Sequence, residues 1–239
     1  MKRTQTLAAA LIILSQMNPS ASHAQMDAQE PSPPGSQGCF IMSDRTTIAG
    51  YRWRDRACPS DVVIPSGVTH IGDRAFYNNL LSSITIPESV THIGDAAFLR
   101  NQLTHLTLPN SVTHIGEEAF MRNLLVSVTL SNRLISIGGG AFAQNQLRSI
   151  LLPDTLVRIE GAAFADNQLT SVSIPNGVRQ IEAWAFANNL LSSVTLPSTL
   201  TSIGDRAFAR NSLRAVTLPN RSIQIEDRSF DDQVQVVRE

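Results

Sequence analysis

Phenylalanine marks the buried positions of this chain. Phe76, Phe98, Phe120, Phe142, Phe164, Phe186, Phe208 and Phe230 follow one another at 22-residue intervals without an insertion, and only Phe40 lies outside the series. An isoleucine column keeps step five residues earlier, from Ile71 to Ile225. An asparagine column runs three residues later, from Asn79 to Asn211, and lapses to Gln233 in the last unit. Proline recurs from Pro65 to Pro219, with Ser131 as the exception, so that residues 62 to 237 divide into eight units of 22.

Each part of a unit has its own physical task. In the copy beginning at Ile84, Ile84 and Ile86 flank Thr85 in the period-2 alternation of a half-buried strand. Pro87 has no backbone donor and ends the ladder. Val90 and Ile93 turn inward again, Gly94 permits a bend, and Ala97 with Phe98 fills the interior. Asn101 is suited to a corner, because its side chain bonds backbone groups and tolerates turn geometry. One such unit cannot bury its apolar face alone, so the units must stack as coils of a solenoid, with an asparagine ladder and a phenylalanine spine. At the ~4.8 Å strand spacing, eight coils predict a rod of roughly 40 Å. Its open ends need covers, for which residues 39–61 serve at the front and Val234 with Val236 at the back. In the front cover, Tyr51 and Trp53 are expected to pack on the first coil while Arg52, Arg54 and Arg56 form a charged outer edge.

Outside the repeats, residues 1–24 read as a secretory signal peptide: Lys2 and Arg3, an apolar run from Leu7 to Leu14, then Ser22-His23-Ala24 with cleavage after Ala24. The run is too short to span a bilayer, so no membrane insertion is expected. Residues 25–38 read as a flexible Pro-rich linker. Removal of the signal takes away the only lysine and leaves seventeen arginines against twenty acidic residues. That balance implies neither nucleic acid nor an anionic membrane as a partner. In an oxidising compartment Cys39 and Cys58 read as a disulfide, with two free or metal-binding thiols as the alternative.

The phrase Leu-x-Ser-Val-Thr-Leu-Pro-x-x-Val-Thr-x-Ile-Gly-x-x-Ala-Phe-x-x-Asn, almost intact at 191–211, resembles the BspA-like leucine-rich repeats, and the resemblance covers residues 62–230. It implies a right-handed, β-rich solenoid in a secreted or surface protein that attaches to macromolecules of a host or a neighbouring cell. The segment from Cys39 to Pro65 is similar to the disulfide-closed cap that precedes such repeats in bacterial members.

Function must then lie in the outward columns. Ser83, His105, Ser127, Ser149 and Ser171, with Thr85, Thr107, Thr129, Leu151 and Ser173 beside them, predict a flat hydroxyl-rich sheet face that binds a protein or glycan. Solvent-facing strand residues without a ligand, or an ordered-water or ice surface, are the alternatives. His70, His92 and His114 occupy one column, and Asp73, Asp95, Glu117, Asp205 and Asp227 another. Both read as polar solvated faces rather than metal sites, since parallel side chains do not converge. Trp184 stands in a column of otherwise small or charged residues, as an exposed contact or as packing across the coil. Tyr51-Arg52-Trp53-Arg54 interleaves basic and aromatic residues too briefly to read nucleic acid.

Catalysis needs a pocket and an asymmetric constellation of nucleophile, base and orienting group, whereas here every Ser, His and Asp belongs to a repeated column. The reading is a β-dominated, monomeric, non-catalytic binding module outside the cytoplasm, without a cofactor. A passive spacer is the alternative.

Overall fold

The structure is a computed structural model and describes residues 38–55 and 57–238. The expected signal peptide, nearly all of the linker and Arg56 lie outside the described residues. The isoleucine column builds the main sheet. Two-residue strands from His70–Ile71 to Gln224–Ile225 pair in parallel, with like position beside like. The strands are short because a bend follows each isoleucine within a residue. A strand at Thr47–Tyr51 (β2) continues this ladder at the front, and Phe40–Met42 (β1) pairs antiparallel with β2 to complete ten strands.

A second face carries three-residue strands with the inward residue in the middle, as at Ser83–Thr85. Here the strand ladders join coils only in pairs: Asp61–Val63 with Ser83–Thr85, His105–Thr107 with Ser127–Thr129, Ser171–Ser173 with Ser193–Thr195, and Ala215–Leu218 with Gln235–Arg238. The stretch Ser149-Ile150-Leu151 has no strand at all. From Pro65 to Pro197 the proline carbonyl accepts from the third residue on, as Pro87 from Val90 N–H at 3.1 Å, which closes the turn that the missing proline donor begins, and Ser131 takes the same part from Leu134.

The interior is the expected spine. Phe76 to Phe208 are fully buried, and successive rings from Phe76 to Phe230 lie near-parallel with centroids 5.0 to 5.5 Å apart. At that separation the rings are offset, which suits their quadrupoles better than a face-to-face sandwich. The asparagine column is buried beside them. Asn101 Nδ2 donates to the carbonyls of Phe76 and Phe98, and its Oδ1 accepts from Asn79 and Leu81 N–H, so one amide satisfies four backbone groups on two coils. In the last coil Gln233 does not take this part. Asp231 takes over only the accepting half, from Arg210 and Asn211 N–H.

Each repeat coil but the last also places residues in the left-handed region in the columns of both Arg74 and Asn78, the last coil only Arg228, and all of them but Gly140 are not glycine. The cost of this conformation is borne because the coil must reverse there and neighbouring coils fix it through bonds such as Arg74 N–H to Asp95 O at 2.8 Å.

The ends differ from the repeat. Ile48 pairs with Ile71, so the front cover is itself a coil, one residue longer than the rest, and the solenoid has about nine turns rather than eight. Cys39 and Cys58 are bonded across it. Tyr51 and Phe40 pack on Phe76, as the cover role requires, and Trp53 is partly buried. Arg52 and Arg54 are exposed but sit after the end of β2, not on a strand edge. The outer edge is β1, with exposed Ile41 and Met42. At the back, Gln235–Arg238 pairs with Ala215–Leu218, two residues out of the 22-residue step, and Val236 is 38% exposed while Val234 packs on the core.

Candidate functional site

The strand face is outward along its length. Ser83, Thr85, His105, Thr107, Ser127, Thr129, Ser149, Ser171 and Ser173 are all exposed, while their central partners such as Leu106 and Val172 are buried. In-register pairing sets Ser171 beside Ser193 and Thr107 beside Thr129, so hydroxyls repeat at the strand spacing. At the front, Ser83 Oγ is engaged by Asp61 Oδ1 at 2.9 Å, and the hydroxyls of Ser82 and Ser83 together lower the Asp61 pKa. In mid-rod, Leu151 is 87% exposed. It lines a depression of about 360 Å³ together with Leu130, Asn132, Leu152 and Pro153.

On the main sheet the three histidines form a stack, with ring centroids 4.9 and 5.4 Å apart. Each Nδ1 is within hydrogen-bond distance of the preceding threonine hydroxyl, at 2.8 to 2.9 Å. The His92 pKa is lowered, first by burial between its neighbours and then by the charges of His70 and His114. The rings edge a shallow groove of about 510 Å³ floored by Gly72, Gly94, Gly116 and Gly138. Among the described residues, no three His, Cys, Asp or Glu side chains converge on a point that could hold a metal ion.

The acidic column is not simply a solvated face. Asp73 Oδ1 accepts from Asp95 N–H, and Asp95 Oδ1 from Glu117 N–H. Where this column lapses to Gly139 and Gly161, the neighbouring column holds Glu160 and Glu182, whose carboxylates accept from Gly139 and Gly161 N–H. Glu226 does the same for Asp205 N–H. The acidic residues therefore terminate backbone donors at a corner, which explains why two columns exchange them.

Trp184 is half-buried, with φ +63°. Arg206, one coil on, lies over its ring at 4.7 Å and pairs with Asp205 at 3.2 Å. The indole packs across the coil, as one of the two readings had it. It also lines a surface notch of about 570 Å³. Sequence reasoning did not find the notch, although its signal is visible in the run of small residues at Gly139, Gly140, Gly161 and Ala162.

The repeat pattern described as "BspA type Leucine rich repeat region" matches in six copies, over residues 46–169 and 157–237. The chain belongs to the BspA-type leucine-rich repeat family. Members of this family are typically surface or secreted proteins that mediate protein interaction, the family is generally non-catalytic, and the Cys39–Cys58 disulfide fits an extracellular location. The fold is similar to that of a leucine-rich repeat protein from Bacteroides ovatus, with 25% identity and a TM-score of 0.63 over 81% of this chain and 55% of that one. It is also similar to the T. pallidum leucine-rich repeat protein, with 24% identity and a TM-score of 0.58 over 72% of this chain and 85% of that one. The chain thus spans about half the length of the Bacteroides ovatus protein. No curated protein matches it. Among the described residues, no helix is long and apolar enough to cross a membrane.

Proposed function

We propose that this BspA-type repeat chain is a non-catalytic binding module that acts outside the cytoplasm and grips a protein partner along the strand face. The observation that carries this reading is Leu151, 87% exposed in mid-rod on a face whose other outward residues are mostly hydroxyls. Small hydroxyl side chains let a partner approach the backbone over several coils, and an apolar side chain at the centre concentrates contact energy. An apolar centre suits the side chains of a protein better than the hydroxyls of a neutral glycan. A passive spacer has no use for it.

A pull-down with the mature protein from extracts of host or neighbouring cells tests the reading. A saturable protein partner is expected, lost in Thr129→Arg and Leu151→Arg and kept in His92→Ala, with all variants shown to fold. Capture of no saturable partner supports the spacer. Loss in His92→Ala with retention in the two arginine variants moves the site to the main sheet.

A further inference from the structure

The outward columns of the rod fall away between the third and sixth repeat units. Gly139, Gly140, Gly161 and Ala162 stand where the unit before them carries Glu117 and Glu118, and where the unit after them carries Ala183 and Trp184. Their backbone is the floor of the notch, with Met121 and Glu118 toward one end and Trp184 at the other. Three coil intervals at the strand spacing make it about 14 Å long, room for an extended long side chain and the residue that bears it. Arg206 reaches the indole from the following coil, and the preceding coil offers only the Ala162 methyl in the same column.

The charges that line the notch itself have one sign, with Arg122, Arg158 and Arg206 at its margins. Glu117, Glu118, Glu160, Asp166 and Glu182 line it, and no arginine does. Part of this charge is committed: Glu160 and Glu182 each use one oxygen on a glycine N–H, and Asp166 Oδ1 accepts from Asn188 Nδ2. Glu160 also lies 3.9 Å from Arg158, an exposed pair of little energetic weight. Among the described residues, the carboxylates of Glu117 and Glu118 have no partner within the protein. A neutral sugar would need donors as well as acceptors, and the lining side chains supply only the Gln144 amide, whose oxygen already accepts from Arg122 Nε, and the Trp184 indole N–H. A guanidinium meets both features of the site, because it stacks on an aromatic face and donates in several directions to carboxylates.

We propose that this notch, separate from the strand face, binds an arginine-bearing segment of a partner protein, with a guanidinium against Trp184 and the segment lying along the glycine floor toward Glu117 and Glu118. The partner is therefore basic where it meets this side of the rod, and its binding here weakens with added salt.

The test uses the mature protein and a fluorescein-labelled Gly-Arg-Gly-Arg-Gly peptide, followed by fluorescence anisotropy beside the same peptide with citrulline, the neutral isostere, in place of arginine. The arginine peptide is expected to bind at least about tenfold more tightly than the citrulline peptide, the equivalent of about 1.4 kcal/mol. Ala162→Met, which fills the floor without touching a charge, and the double variant Glu117→Gln/Glu118→Gln, which removes charge without filling it, should each weaken the arginine peptide by a similar factor. Leu151→Ser, on the strand face, should leave it unchanged, so failure here is separable from failure of the strand-face reading. Thermal midpoints close to the parent's confirm that the notch variants fold. Absent binding, equal binding of the two peptides, or binding untouched by Ala162→Met overturns the proposal. So does retention of a neutral oligosaccharide such as cellohexaose in place of the arginine peptide, which assigns the notch to a glycan.

Discussion

Asn145 holds Phe120 from the next coil: its Nδ2 donates to the Phe120 carbonyl at 3.0 Å across 25 residues of sequence. The same amide donates to Phe142 O at 3.1 Å and accepts from Leu125 N–H at 3.1 Å, so removing it strands backbone groups on two coils at once. Each buried group left unpaired costs about 1–3 kcal/mol. Asn145→Ala should therefore destabilise by about 3 kcal/mol in urea unfolding. Asn145→Asp should cost more, although it is nearly isosteric, because it turns a carboxylate toward carbonyl oxygens. An aspartate variant as stable as the parent would show that the amide only fills space.

The spine makes a second, graded prediction. Phe142 is fully buried between two neighbouring rings, whereas Phe230 is 8% exposed with a ring on one side only. Phe142→Ala should cost about 3–5 kcal/mol in chemical denaturation, the range for emptying a buried aromatic site. Phe230→Ala should cost clearly less. Equal losses would contradict stability that builds from neighbour to neighbour.

Left-handed residues other than glycine offer a gain. Arg100 is exposed with φ +59°, and its side chain has no partner among the described residues. Arg100→Gly removes the steric cost of that conformation and should stabilise by up to about 1 kcal/mol. Gln102→Gly, at an exposed position without positive φ, should destabilise by about 0.5–1 kcal/mol, because there glycine adds only entropy to the unfolded chain. Melting temperatures moving in opposite directions are the expected result.

The histidine stack predicts a pH dependence. His92 has a lowered pKa in the folded protein, from burial first and then from His70 and His114, so the folded state binds its proton less readily than the unfolded chain. Its contribution is present above the ordinary histidine pKa, ~6.5, and is lost as pH falls through that value toward the lowered one. Denaturation midpoints measured from about pH 7.5 to about pH 5 should therefore fall, and the fall should flatten in His92→Gln. The carboxylates with lowered pKa, Asp44 and Asp61, titrate in a more acidic window and do not confound it.

The 22-residue period by itself determined the spine, the asparagine ladder and the hydroxyl-rich strand face, but not the longer sheet on the isoleucine column, whose two-residue strands are too short to show an alternation. With uninterrupted repeats, stacking sets each residue against its own counterpart, so a column read from the sequence is a column in space. Repetition also made the cover coil legible as a cover. Its extra residue was not legible, because Ile48 reaches Ile71 only once the turn between β2 and Asp61–Val63 has formed. What the tertiary structure alone decided lies across columns. Asp95 and Glu160 are both acidic corner residues, yet one bonds a coil forward and the other a coil back, according to where the local backbone leaves a donor. The notch is of the same kind. Glu118 and Trp184 lie three repeat units apart in sequence, and neither alone signals an opening between them. Only the fold shows that the short side chains between them leave an open space, because a gap on a surface depends on the relative reach of neighbouring side chains, which no single repeat records.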